Sequence, residues 1–166
     1  MSVTELIPVA EYLTTDYSPD CDFVDGVLED RNVGEKDHSK LQAALVAWFY
    51  TRRKELGMQV FPEQRIRISG SRYRVPDLCV TRGEPDEQVF TTPPFLCIEI
   101  LSPEDRMRRV LIKVADYLEL GVPFVWLIDP RKQKATIYTA TDVLSVDDGI
   151  LRTQNPDIAV PLSELF

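Results

Sequence analysis

The sequence predicts an α/β protein in which helices pack on one mixed β-sheet. Three observations predict this class: two segments carry apolar residues at helical spacing, short β-type runs surround them, and turn residues separate the pieces. The 166 residues are 44% hydrophobic, which suits one domain with a buried core. We therefore expect a single domain over residues 1–166, with its acidic N-terminal segment, residues 1–37, as part of it.

A hairpin and a helix are the first elements expected. Residues 22–30 alternate around Asp25-Gly26, which is a turn signal between two short strands. Residues 38–56 then place apolar side chains on one helical stripe, and Gly57 stands where such a helix would end.

Short β-type runs make up most of the remaining chain. Strands are expected at residues 58–68, 72–81, 95–101, 124–129 and 134–140. A second helix is expected over residues 104–120, between the third and fourth of these strands, and Gly121 would end it. The tail, residues 142–166, reads as strand-like pieces and a terminal turn.

Three features favour a cytoplasmic protein. The longest apolar run, "AALVAWFY", is too short to span a bilayer, so no membrane association is expected. The start, "MSVTELIPVAEYL", has no basic stretch and predicts no signal peptide. Cys21, Cys79 and Cys97 lack metal-type spacing and read as reduced core thiols.

The net charge of -8 is distributed unevenly along the chain. Residues 1–37 hold ten acidic and two basic residues, whereas residues 38–166 hold 17 of each. Local basic clusters in the neutral part therefore leave nucleic acid open as a partner. They read equally well as solvated faces. The cluster residues are Arg65, Arg67, Arg72, Arg74, Arg106, Arg108 and Arg109.

Two acidic residues interrupt apolar β-type runs. Asp77 follows a proline in "YRVPDLCV", and Glu99 lies in "FLCIEILSP". Acids and prolines are unfavourable in strands, so such positions suggest a functional site. If the two strands are neighbours, the carboxylates can converge, and a divalent cation such as Mg²⁺ would relieve their repulsion. The alternative is that each acid caps a loop at a sheet end.

These stretches resemble a known family. The pieces "PDLCV", "CIEILSPEDR" and "GVPFVWLIDP" are similar to the Uma-type branch of the PD-(D/E)XK nuclease superfamily, and the resemblance runs from about Asp22 to Tyr138. It implies a restriction-endonuclease-like fold, with a mixed central sheet flanked by helices. It also implies Mg²⁺ or Mn²⁺ held by Asp77, Glu99 and the carbonyl of Ile100, and a homodimer.

Two positions depart from the superfamily pattern. Leu101 stands where a lysine is usual, and the resemblance implies that Lys113, one helix later, takes its place. Arg109 stands where the branch often has an aspartate. Arg106, Arg109, Lys113 and Tyr117 share one helical stripe, which suits phosphate binding as well as a solvated basic face.

Histidine occurs once, as His38 at the start of the first long helix. It could orient a water near the metal, or be a satisfied core residue. Glu29 and Glu35, just upstream, are further possible metal ligands.

The sequence is compatible with two functions. In the first, Asp77, Glu99, Lys113 and His38 serve metal-dependent cleavage of DNA, and Arg72, Arg74, Arg106, Arg109 and Tyr117 contact the substrate. Lys113 would polarise the scissile phosphate or help to deprotonate the attacking water. In the second, the nuclease fold is kept as a non-catalytic, dimeric nucleic-acid-binding or regulatory module.

Overall fold

A computed structural model describes residues 5–32 and 34–166. Residues 1–4, on which the signal-peptide prediction partly rests, lie outside this range. The helices are α1 (Val9–Thr14), α2 (Lys36–Thr51), α3 (Arg53–Leu56) and α4 (Met107–Leu120), with a 3-10 turn at Leu162–Glu164. The strands are β1 (Asp22–Val24), β2 (Val27–Glu29), β3 (Met58–Pro62), β4 (Ile66–Ser69), β5 (Arg72–Arg74), β6 (Leu78–Arg82), β7 (Leu96–Ile100), β8 (Phe124–Asp129), β9 (Lys134–Tyr138), β10 (Val143–Ser145), β11 (Ile150–Thr153) and β12 (Ile158–Pro161). No helix within this described part is long and apolar enough to cross a membrane.

A six-stranded sheet forms the centre of the molecule, in the order β10-β9-β8-β7-β6-β3. It is mixed, because β7 and β8 run parallel while the other neighbours are antiparallel. On one face, Leu45 and Phe49 of α2 pack in a cluster with Ile98 and Trp126. On the other face, Val114 of α4 packs in a second apolar cluster with Cys97 and Val125. The predicted mixed central sheet flanked by helices is confirmed.

A second, four-stranded antiparallel sheet, β2-β1-β5-β4, differs from the prediction of a single sheet. Each of the runs 58–68 and 72–81 is split between the two sheets. The first run breaks at Glu63, whose φ of 51° is unsuited to a strand. The second breaks at Pro76, which has no N–H to give to a strand ladder. Asp77 therefore immediately precedes β6 rather than lying within a strand.

Helix boundaries differ from the sequence prediction at three places. The helix expected at residues 104–120 begins only at Met107, because Asp105 accepts a hydrogen bond from the Ser102 N–H and holds this stretch in a turn. The helix expected at 38–56 begins at Lys36 and is interrupted at Arg52. Helix α1 was not predicted, since six residues after a proline carry little periodicity.

The alternation of side chains along β7 separates core from site. Ile98 and Ile100 belong to the cluster on the α2 face, whereas Cys97 belongs to the cluster on the α4 face. Glu99 has the same parity as Cys97 and therefore points toward α4. The central sheet thus aims one acid at the helix that carries Lys113.

Candidate active site

Asp77 and Glu99 line one small cavity of about 30 Å³. Strands β6 and β7 align Leu78 with Ile98, so the two acids are the next residues beyond an aligned pair. The cavity wall is completed by Arg31, Asn32, His38, Ile100, Ser102, Asp105 and Lys113. The alternative of two acids capping separate loops does not describe this arrangement. A cavity of this size holds a water-sized group.

Three hydrogen bonds satisfy the Asp77 carboxylate. Its Oδ1 lies 2.9 Å from Arg31 Nη2 and 3.2 Å from His38 Nε2, and its Oδ2 accepts the Ile100 N–H at 2.7 Å. Burial alone would raise the pKa of Asp77, but the hydrogen bond and charge of His38, with the charge of Arg31, hold it below its ordinary value. The hydrogen bond to Asp77 in turn raises the pKa of His38. Asp77 is therefore ionised, and its negative charge is already compensated by the groups that contact it.

Glu99, unlike Asp77, has few hydrogen-bond donors around its carboxylate. The side chain is 7% exposed, and its Oε1 accepts a 2.6 Å hydrogen bond from the Tyr117 hydroxyl. Within the described part of the chain, Glu99 has no ion pair and its Oε2 accepts no hydrogen bond. Burial and the charge of Asp77 raise the pKa of Glu99 to about 7, against the opposing charge of Lys113. Glu99 thus keeps one oxygen with unused acceptor capacity.

Lys113 lies across the cavity from these acids. Its Nζ is 3.6 Å from Asp22 Oδ2, and its side chain is 19% exposed. Burial alone would lower the pKa of Lys113, but the charges of Glu99, Asp22 and Asp77 outweigh burial and raise it. Lys113 therefore carries a fixed positive charge at neutral pH. A raised pKa does not favour Lys113 as a general base.

The donor set fits one hard divalent cation. In residues 5–32 and 34–166, no group of three or more His, Cys, Asp or Glu side chains is arranged to hold a metal. Mg²⁺, however, is commonly held by one or two carboxylates together with waters. The open Oε2 of Glu99 could supply one such ligand, and Asp77 a second. A buried acid with a raised pKa is a common feature of such functional sites.

Arg31 would compete with a cation for Asp77, because it already lies 2.9 Å from the Oδ1 of that acid. We expect Arg31→Gln to bind Mn²⁺ about tenfold more tightly, since it removes a positive charge close to a ligand oxygen. Isothermal titration calorimetry of the metal alone measures this change. Arg67→Gln, on an exposed part of β4, is the matched control. An unchanged Mn²⁺ affinity in Arg31→Gln would show that Arg31 does not compete.

An outer cavity of about 280 Å³ opens beside the first. The two share Arg31, Asn32, Asp105 and Lys113 in their walls. Two further residues of the outer wall, Arg106 and Arg109, are exposed, and Arg109 also lies 3.7 Å from Glu29. The outer wall also holds the acids Asp30, Glu104 and Asp105, so side chains of both charges line this opening.

Arg72 and Arg74 lie outside both cavity walls, and the predicted role of buried Arg74 in substrate binding is corrected. Arg74 is 1% exposed and donates to Asp22, Glu29 and Asp116 at 3.1, 2.8 and 2.7 Å. Arg72 is bound to Asp116 at 2.8 Å. Both guanidinium groups join the antiparallel sheet to α4, but the Arg74 side chain is buried whereas that of Arg72 is 30% exposed.

Three other predicted contacts also change. Tyr117 is fully buried and contacts Glu99, so it positions that acid and cannot touch substrate. Glu29 is paired with Arg74, and Glu35 is exposed before α2, outside the cavity wall. Neither glutamate is placed to bind a metal shared by Asp77 and Glu99.

Sequence reasoning missed Arg31, Asp22 and Asp105. Arg31 is one of only two bases in the acidic segment 1–37, and that isolation was the available signal. Asp22 is buried, lies near Lys113 and accepts the Val75 N–H. Its role follows from pairing between β1 and β5, which the sequence does not reveal.

Comparison with known proteins identifies the family. The model of the Uma2 family, described as "Putative restriction endonuclease", matches residues 9–162. The chain belongs to the Uma2 family. A crystal structure of a "putative nuclease belonging to DUF820" from Anabaena variabilis ATCC 29413 resembles this Uma2 chain with a TM-score of 0.81. The two are 24% identical over 96% of this chain and 97% of that one, which shows a shared fold. No curated protein matches.

Proposed function

We propose that this Uma2 chain is an endonuclease that hydrolyses DNA phosphodiesters with Mg²⁺ or Mn²⁺. The observation that carries the proposal is the Glu99 carboxylate. It is buried beside Asp77, it keeps one oxygen without a hydrogen bond among the described residues, and it faces a cavity shared with Lys113. Membership of a family described as restriction endonucleases supports the same reaction class.

Each side chain has a distinct part in the proposed reaction. Asp77, Glu99 and the Ile100 carbonyl would hold the metal, which when bound supplies an activated water and stabilises charge on phosphate. Tyr117 orients Glu99 through its hydroxyl. His38 holds Asp77 at one oxygen and keeps that carboxylate ionised.

Positive charge is provided at two depths. Lys113, at the inner cavity, would stabilise negative charge that develops on the scissile phosphate. Arg31 would leave Asp77 for a substrate phosphate as the metal binds, while Arg106 and Arg109 at the outer opening would hold the backbone.

The direct test is cleavage of supercoiled and linear plasmid DNA. We expect nicking and cutting with Mg²⁺ or Mn²⁺, and none with EDTA. Binding should weaken as salt rises, because phosphate contacts release counterions. A preparation that binds Mn²⁺ but cleaves neither DNA nor RNA at any salt concentration would refute the proposal, and RNA cleavage alone would reassign the substrate.

A non-catalytic nucleic-acid-binding or regulatory module is the second candidate. It is favoured by one observation, namely that Arg31 and His38 already neutralise Asp77. If this reading is right, Mg²⁺ and Mn²⁺ will not raise the thermal unfolding temperature, because no metal binds.

The proposal also includes an assembly and a location. We place the protein in the cytoplasm as a homodimer. Free, buried Cys21, Cys79 and Cys97 support a reducing compartment.

A further inference from the structure

Helix α4 presents an apolar face away from the active site. Leu111, Ile112 and Ala115 are exposed within about 100° of one another around the helix, Leu111 by 42% and Ile112 by 45%. The exposed residues Arg108, Ile112, Ala115 and Glu119 follow each other at intervals of four, three and four. This is the spacing of a seam between two paired helices, and we name these four residues the α4 seam.

The charges of the α4 seam are arranged for self-pairing. Arg108 and Glu119 stand at its two ends, and neither forms an ion pair inside the described part of the chain. The midpoint between them coincides with the midpoint between Ile112 and Ala115. When two copies pair in antiparallel fashion about a two-fold axis at that midpoint, Arg108 faces Glu119 of the second copy, and Ile112 faces Ala115.

We propose that the α4 seam is the surface on which a second copy of this chain docks. The inference deepens the homodimer of the proposed function by naming its interface. Charge complementarity selects the occupant, because the facing positions of the α4 seam join Arg108 to Glu119 and Ile112 to Ala115. The small Ala115 lets the helices approach closely, and Leu111 covers one flank.

The two active sites stay accessible in this arrangement. Lys113 faces the cavity with Glu99, roughly 130° around the helix from the α4 seam at 100° per residue. Arg109 lies between the seam and Lys113. Docking therefore covers the apolar face and leaves both outer openings beside the interface.

Sedimentation velocity on the full chain tests the interface without DNA or metal. We expect a species of twice the 19.0 kDa chain mass. Arg108→Glu alone and Glu119→Arg alone should each weaken association about tenfold, because each places like charges opposite one another twice. The double variant should restore it. Mixing the two single variants should give a heterodimer, since all facing charges are then opposite.

Controls separate this interface from others. Leu144→Glu, on the exposed edge strand β10, should leave the dimer unchanged, whereas Ile112→Glu should weaken it about a hundredfold. Circular dichroism verifies folding, which these exposed positions do not threaten. A monomeric wild type would overturn the proposal, as would a dimer that ignores the charge changes. Neither result bears on the cleavage proposal. Conversely, a protein that does not cleave DNA can still be tested for dimer formation by its mass.

Discussion

Glu99→Gln is expected to abolish metal-dependent cleavage while it stabilises the metal-free protein. The amide keeps an oxygen for the Tyr117 hydroxyl, and its NH₂ replaces the oxygen that accepts no hydrogen bond in the described structure. The substitution removes the charge that would bind the metal and preserves the shape of the side chain. Plasmid cleavage with Mg²⁺ and the unfolding temperature in EDTA measure the two effects.

The stability effect has a definite pH window. The pKa of Glu99 is raised from 4.5 to about 7, so the folded state binds more protons than the unfolded state between these values. Stability from protonated Glu99 is therefore present below 4.5 and is lost as pH rises to about 7. We expect the Tm advantage of Glu99→Gln to grow from about pH 5 to about pH 8.

Matched variants isolate this result. Glu84→Gln, exposed in the loop after β6, should leave cleavage and Tm unchanged. A Glu99→Gln protein that cleaves at the wild-type rate would remove Glu99 from the site. Asp77→Asn is a less selective probe of metal binding. Hydrogen-bond donors approach both oxygens of the Asp77 carboxylate, so the NH₂ of an asparagine would face another donor, either Arg31, His38 or the Ile100 N–H. Asp77→Asn should lose stability as well as activity.

The carboxylate pair was predictable from sequence because it conflicts with its surroundings. A proline and an acid before "LCV", and a glutamate inside "LCIEI", are poor strand residues, so a local rule marks them. The central sheet was predictable for a related reason, since buried strands leave strong apolar runs. The family resemblance pointed to Lys113, and helical spacing placed Tyr117 on the same stripe, but the sequence could not show that Tyr117 faces inward.

The basic residues were not predictable, because a guanidinium has the same sequence signature in solvent and in a buried ion pair. Arg74 looked like a surface cation, yet β1 and β5 bring Asp22 to it across 52 positions. Arg31 looked like a minor residue of an acidic segment, yet it lies against Asp77. Contacts between residues far apart in sequence decide both cases. They depend on the second sheet, which the sequence did not predict because the apolar runs that break at Glu63 and Pro76 each read as one strand.

Lys113→Met is expected to reduce DNA cleavage by about 10² to 10³ with little change in stability, in line with the loss of one charge that stabilises a transition state. Methionine preserves the apolar stem and removes the ammonium group. Asp22 keeps its 3.1 Å contact with Arg74 and its bond to the Val75 N–H, so it is not left unpaired. Single-turnover cleavage at saturating Mg²⁺ measures the loss, and the exposed Lys54→Met is the control.

The arginine variant distinguishes the two chemical roles of Lys113. The charges of Glu99, Asp22 and Asp77 outweigh burial and raise its pKa, so the ammonium stays protonated through the neutral range. Arginine cannot act as a base but supplies the same charge. Lys113→Arg should therefore retain measurable cleavage and show the same pH–rate profile as wild type near neutrality. If Lys113→Arg is as inactive as Lys113→Met at unchanged Tm and unchanged Mn²⁺ affinity, proton transfer rather than fixed charge would be the function of Lys113.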